Sequence, residues 1–109
     1  MKRKIVMCIA PLLMLFCSVS YLFAYGYSGA LGTSDGRSVR RTSQYADVWV
    51  FTLGSSATVQ IDMNSSFDNF LILYSGSTPS STGFIVENDD TNGTNARISR
   101  SLSAGTYCI

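Results

Sequence analysis

The chain has 109 residues, of which 46% are hydrophobic and 14% charged, and its formal net charge is +1. This length suits one domain. The mildly acidic chain that remains if the basic N-terminal run is removed has no electrostatic reason to bind nucleic acid. The chain contains no histidine, which excludes Ser-His or Cys-His nucleophile activation and histidine-ligated zinc.

The segment 1–24 has the layout of a secretory signal peptide. A basic run at positions 2–4 precedes an apolar stretch that ends at Ala24. We expect cleavage after Ala24, with small residues at Ser20 and Ala30 as alternative sites. The competing interpretation is an uncleaved membrane anchor, since the apolar stretch is about long enough to span a bilayer.

Cleavage would change both the charge and the cysteine content of the chain. The net charge falls from +1 to −2 when Lys2, Arg3 and Lys4 leave. Cys8 and Cys17 leave with them, so Cys108 has no partner for an internal disulfide. Two interpretations of Cys108 stay open: a buried thiol, or a disulfide to another molecule.

The segment 25–44 is rich in Gly, Ser, Thr and Arg and has no apolar periodicity. We interpret it as a leader loop or linker, in which Arg37, Arg40 and Arg41 form a small solvated basic group. The domain proper is predicted over 45–109, with Leu31 as an alternative start.

Short strands separated by turn residues follow in chain order. The run 45–53 is apolar on both faces, which predicts a strand well inside a sheet, and the turn 54–56 predicts a hairpin to the next strand. That strand, 57–63, alternates with Val59, Ile61 and Met63 on its buried face. Further strands are predicted at 70–74, 84–87, 96–102 and 106–109.

This pattern predicts an all-β fold, an antiparallel β-sandwich of the jelly-roll-like kind. Arg100 shares the parity of the inward residues in the strand 96–102, so we expect a bulge or strand end there. The chain stops in the middle of the strand that begins at Thr106. We therefore expect its last strand to be truncated and the chain to be a fragment of a longer reading frame.

The acidic residues of the candidate site flank two of these strands. Asp68 precedes the strand 70–74, and Asn88, Asp89 and Asp90 follow the strand 84–87. If those two strands are neighbours, the acidic side chains gather at one end of the sandwich.

The spacing of the second group is that of the opening of a calcium loop. Asn88, Asp90 and Asn92 stand at the first, third and fifth positions, and Gly93 at the sixth. The closing acid is missing, because the twelfth position is Ser99. Asp68 is a substitute, so the candidate calcium ligands are Asp68, Asn88, Asp89, Asp90 and Asn92. The alternative is an Asx-turn, in which these side chains bond their own backbone.

Catalysis has little support in the sequence. Asp89 and Asp90 could form a carboxylate pair for glycoside cleavage, but the side chains of adjacent turn residues usually diverge. We therefore expect a protein that is not an enzyme.

Four motifs occur in an order and at a spacing that resemble a known family. They are Tyr45-Ala-Asp-Val-Trp-Val-Phe51, Phe67-Asp-Asn-Phe-Leu-Ile-Leu73, Asn88-Asp-Asp90 and Leu102-Ser-Ala-Gly-Thr-Tyr107. Together they resemble the bacterial pre-peptidase C-terminal domain from Leu31 to Ile109. The resemblance implies a jelly-roll-like β-sandwich, an accessory module appended to secreted proteases and other exported enzymes. The chain departs from the family in carrying no catalytic domain and in ending where the last strand of the family would continue.

The expected function is that of a non-catalytic accessory domain in a secreted bacterial protein, located outside the cell, in the periplasm or at the cell surface. As a binding or targeting module it would take an extracellular polymer or the cell envelope as partner, with calcium as a candidate cofactor. The alternative is a structural, chaperone-like domain that helps a neighbouring secreted enzyme domain to fold and be exported, and is later removed. Contact with a membrane is expected only through an uncleaved signal segment.

Overall fold

The computed structural model describes the backbone of residues 2–11, 23–91 and 93–109, and the side chains of residues 26, 28–91 and 93–109. All regular elements in those ranges are strands. They are β1 (Lys2–Pro11), β2 (Phe23–Ala30), β3 (Val50–Leu53), β4 (Ala57–Asn64), β5 (Leu71–Ser75), β6 (Phe84–Asn88), β7 (Arg97–Leu102) and β8 (Gly105–Cys108). No helix in the described part of the chain is long and apolar enough to cross a bilayer.

The strands form two four-stranded sheets, in the orders β2-β1-β4-β7 and β3-β8-β5-β6. Neighbouring strands are antiparallel throughout. The inner faces of the two sheets enclose the main hydrophobic core, as in a β-sandwich. The prediction of an all-β antiparallel sandwich is therefore confirmed.

Strand β4 supplies the centre of the core. Its buried side chains alternate with exposed or half-buried ones, and Val59 and Ile61 have no exposed surface at all. The predicted register of this strand is correct, because a single apolar face leaves only one way to place it.

Strand β3 departs from prediction in three respects. It begins at Val50, whereas the predicted strand began at Tyr45. It lies at the edge of its sheet, with Val50 half exposed, whereas an interior position was expected. It also pairs with β8 and not with β4, so the predicted hairpin is wrong. The turn at 54–56 carries the chain from one sheet to the other, and turn residues alone do not distinguish that path from a hairpin.

Strand β5 is buried on both faces. Leu71 and Leu73 belong to the main core, while Ile72 and Tyr74 form a second cluster with Cys108 on the outer face of the sheet. The apolar side chains on the outer face of this sheet therefore need shielding from solvent, and the segment 31–48 provides it.

Two smaller features concern β7 and Cys108. Arg100 pairs with Val59 in a register that runs without a shift to Leu102, so neither the predicted bulge nor a strand end occurs at Arg100, whose side chain is exposed. Cys108 has no exposed surface and forms no disulfide. The interpretation of Cys108 as a buried thiol is confirmed.

The N-terminal segment contributes strands to the first sheet. The backbone of Lys2–Pro11 lies between β2 and β4, antiparallel to both. Residues 12–22 lie outside the described part, and cleavage after Ala24 stays a prediction.

Ile61→Ala should destabilise the protein by about 2–5 kcal/mol, because it opens a cavity at a fully buried position of β4. Urea unfolding followed by circular dichroism measures the change. The matched control is Thr58→Ala, on the exposed face of the same strand, which should change stability by no more than about 0.5 kcal/mol. Equal losses in both variants would contradict the described orientation of β4.

Candidate metal centre and adjoining cleft

The pairing of β5 with β6 brings the acidic residues together. Leu71, the first residue of β5, lies opposite Asn88, the last residue of β6. Asp68 therefore approaches this end of the sheet just before β5, while Asp89 and Asp90 leave it just after β6. One carboxylate oxygen from each of the three aspartates lies within 4.8 Å of the others. The convergence predicted from the sequence is present.

The three carboxylates have different surroundings. Asp89 is half-buried and accepts a hydrogen bond from Arg41 Nη1 at 2.8 Å, whereas Asp68 and Asp90 are exposed. Within the described ranges neither Asp68 nor Asp90 makes a side-chain hydrogen bond or an ion pair. One guanidinium thus faces three carboxylates, and the cluster keeps a negative charge.

A fourth predicted ligand, Asn88, makes hydrogen bonds at the two ends of the loop between β6 and β7. The side-chain oxygen of Asn88 accepts hydrogen bonds from Thr91 Oγ1 at 2.8 Å and from the backbone N–H of Arg97 at 3.0 Å. Asn88 therefore ties the end of β6 to the start of β7. Asn92 lies outside the described residues. Gly93 has a φ of 66°, a left-handed conformation that favours glycine.

A pair of arginines ties the segment before β3 to the outer face of the second sheet. Arg40 Nε lies 3.2 Å from Glu87 Oε2, and the guanidinium of Arg40 lies 3.8 Å from the ring centroid of Phe84. Arg41 pairs with Asp89 and lies 4.5 Å from the ring centroid of Phe70. Each of the two cations thus has both an acidic and an aromatic partner.

These contacts change the interpretation of the segment 25–44. Arg37 and Arg40 are exposed, as the prediction of a solvated basic group implies, and Arg41 is half-buried. Each of the three also has fixed contacts: Arg37 lies 3.8 Å from the ring centroid of Tyr45 and donates to Ser43 O at 2.7 Å. Ser38 is 5% exposed and accepts a hydrogen bond from the backbone N–H of Arg41. The acidic partners are distant in sequence, so nothing in the local pattern could have indicated them.

A buried asparagine that sequence reasoning missed holds the loops beneath the cluster. Asn69 is 3% exposed. Its Nδ2 donates to Ser65 Oγ at 2.7 Å and to Asn95 Oδ1 at 2.8 Å. Its Oδ1 accepts a hydrogen bond from the backbone N–H of Ala96 at 2.9 Å. Its backbone N–H donates to Thr94 O at 3.1 Å. Asn69 thus joins the loop before β5 to the loop before β7, next to Asp68.

A cleft of about 460 Å³ opens beside the carboxylates, between the segment 31–48 and the sandwich. Its lining combines aromatic rings with carboxylates, among them Tyr45, Trp49, Phe70, Tyr74, Asp68 and Asp89. Burial raises the pKa of the Tyr74 phenol, and nearby Arg40 offsets part of that rise. Tyr74 is therefore neutral at physiological pH, and the charge of the cleft comes from its aspartates and arginines.

Three converging carboxylates offer oxygen atoms that a hard cation can take as ligands. Carboxylate oxygens are the ligands that calcium prefers, and backbone carbonyls and water usually complete its coordination.

Comparison with protein-family models, with curated proteins and with solved structures finds no significant match to this chain.

Asn69→Ala should destabilise the protein by about 1–3 kcal/mol, because it leaves the buried N–H of Ala96 without its acceptor. Chemical denaturation measures the loss. Asn64→Ala is the matched control, because Asn64 is exposed at the end of β4 and should change stability by no more than about 0.5 kcal/mol. A silent Asn69→Ala would show that these loops are held by other contacts.

Proposed function

We propose that this chain is a non-catalytic accessory module of a secreted protein, which binds calcium at Asp68, Asp89 and Asp90 and an extracellular polymer in the adjoining cleft. The observation that carries the proposal is the approach of the three carboxylates to within 4.8 Å of one another beside that cleft. The secreted location rests on the signal-peptide layout of residues 1–24.

Electrostatics supports a cation at this end of the sandwich. Like charges that lie so close repel one another, and Arg41 compensates only one of them. A divalent ion relieves the repulsion between Asp68 and Asp90, which have no basic partner among the described residues. Because the protein ligands are few and two of them are exposed, the expected dissociation constant is that of extracellular modules, about 10⁻⁴ to 10⁻³ M.

The cleft supports the binding part of the proposal. Binding sites combine apolar or aromatic surface with a few polar groups that fix orientation, and this cleft has rings from Tyr45 and Phe70 beside the carboxylates of Asp68 and Asp89. A sugar polymer presents apolar ring faces and hydroxyl groups, which match those two kinds of surface. Calcium at the cluster could also coordinate hydroxyls of such a ligand.

Millimolar calcium should raise the melting temperature of the protein. Binding to the folded state alone stabilises it by about 1.4 kcal/mol at tenfold excess over the dissociation constant, which corresponds to a rise of about 5 °C or more for a domain of this size. Magnesium should act much more weakly. The measurement is a thermal melt at calcium concentrations up to about 10 mM, well above the expected constant.

The controls separate the cluster from general charge effects. Asp68→Asn and Asp90→Asn should abolish the calcium-dependent rise. Asp35→Asn removes the same charge outside the cluster and keeps an acceptor for the N–H of Gly32, so it should leave the rise intact. A wild-type melting curve that calcium does not move would exclude the metal site.

Binding in the cleft is tested by co-sedimentation with insoluble polymers, namely cellulose, chitin and peptidoglycan. Tyr45→Ala should lower the bound fraction roughly tenfold, as loss of an aromatic anchor does. Val50→Ala, which trims an exposed apolar residue that does not line the cleft, should have no effect. Absence of co-sedimentation with every polymer would favour the chaperone-like alternative over a binding module.

A further inference from the structure

Strand β4 has a different kind of neighbour on each of its two edges. On one edge it pairs with β7, and on the other with β1, from Lys4↔Asn64 to Pro11↔Ala57. Every residue of β1 belongs to the segment predicted to be removed after Ala24. In the described part of the chain β2 pairs only with β1. Processing therefore leaves β4 with one partner strand.

The edge that processing would uncover is long and regular. β4 has eight residues, and Ala57, Val59, Ile61 and Met63 alternate on its buried face. Its backbone N–H and C=O groups on that side would lose the antiparallel partner they have in the full chain. Long, regular edge strands with an apolar face readily pair with another chain, and natural proteins cover or blunt them.

We propose that this edge of β4 is a strand-acceptor site, which in the processed chain takes an extended segment of the neighbouring secreted protein. The mode is β-strand addition, in which main-chain hydrogen bonds supply affinity and alternate side chains supply specificity. The proposal rests on the proposed function, because it requires export, processing and a neighbour in the secreted protein.

The register between β1 and β4 indicates the pattern of side chains that the incoming segment needs. Opposite the buried residues Met63, Ile61 and Val59 the chain carries Ile5, Met7 and Ile9. The alternate positions of β4, with Asp62, Gln60 and Thr58, are half-buried or exposed. The incoming segment therefore needs apolar residues at every second position and tolerates small or polar ones between them.

The processed chain holds one competing occupant, its own residues 25–30. They form the part of β2 that remains after cleavage, and they include Gly26 and Gly29. Glycine weakens a strand because it adds backbone entropy and offers no side chain to pack. This segment is therefore a poorer partner for β4 than a strand with apolar residues at alternate positions.

The test uses the chain with Gln60→Cys, secreted by a bacterial host and purified from the medium or periplasm. Mass spectrometry should find the chain processed near Ala24, and hydrogen exchange should find amides of β4 unprotected on one edge. The probe is a synthetic peptide of residues 2–11, in which Cys8 is the register partner of position 60. With oxidised glutathione as oxidant, Cys8 should form a disulfide with the new thiol, and the peptide should slow exchange in β4.

Two controls make the result specific for register and for side-chain pattern. A peptide with Ile5→Asn, Met7→Asn and Ile9→Asn should cross-link at least about tenfold less, since it lacks apolar residues at the alternate positions. Thr58→Cys in place of Gln60→Cys moves the thiol to the register partner of Ala10 and should lower the yield with Cys8. Cys108 does not compete, because it is buried.

Several outcomes would overturn the proposal. The first is an unprocessed chain in the secreted fraction. The second is protection of the β4 amides without peptide, which would mean that residues 25–30 close the edge. The third is an equal cross-linking yield with the Thr58→Cys variant or with the asparagine-substituted peptide. If the processed chain is unfolded by itself, the peptide should restore its circular dichroism spectrum, and failure to do so also overturns the proposal. The calcium-dependent melt and the co-sedimentation do not involve this edge, so a failure of calcium or polymer binding can be told apart from a failure of strand addition.

Discussion

The double-sided burial of β5 is the constraint on which the rest of the structure depends. One face of the strand completes the core between the sheets, and the other carries Ile72 and Tyr74, which are 6% and 3% exposed. An antiparallel sheet of a sandwich usually keeps its outer face wet. Here that face is apolar near β5, so it requires a cover, and the segment before β3 provides one.

The cover is fastened by charge and by aromatic contact together. Arg40 and Arg41 lie over Phe84 and Phe70 while their guanidinium groups reach Glu87 and Asp89. Exposed ion pairs contribute little stability by themselves, but these two pairs fix the direction from which the segment crosses the sheet. The contacts of Arg41 with Phe70 and Asp89 also form part of the wall of the cleft, and they place a cation beside the acidic cluster.

The sequence predicts those features of the structure that depend on a pattern of neighbouring residues, and it does not predict those that depend on distant partners. The alternation of Val59, Ile61 and Met63 is local, and it predicted β4 correctly. The convergence of Asp68 with Asp89 followed from one assumption, that β5 and β6 are neighbours. The position of β3 was missed because apolar residues on both faces do not distinguish an edge strand from an interior one. Its pairing with β8 was not predicted, because the turn residues after Leu53 do not show whether the next strand joins the same sheet or the other one.

The role of Asn69 and the anchoring of Arg41 could not be predicted, because their partners are distant in sequence. Asn69 contacts Asn95 and Ala96, and Arg41 contacts Asp89. Polar residues in a turn-rich stretch can bond to their own backbone or to distant parts of the chain, and the sequence does not distinguish these roles. Burial in the folded chain shows which polar residues hold distant segments together. The loops around the candidate metal centre are thus organised by contacts that only the folded chain reveals.

The burial of Cys108 has a consequence for how this chain behaves among other proteins. The thiol has no exposed surface, and burial raises its pKa, so little of the nucleophilic thiolate forms. In an oxidising compartment a free thiol exchanges with the disulfides of its neighbours. Folding withdraws Cys108 from that exchange. The low reactivity of this thiol is therefore a property of the folded state and is lost when the second sheet opens.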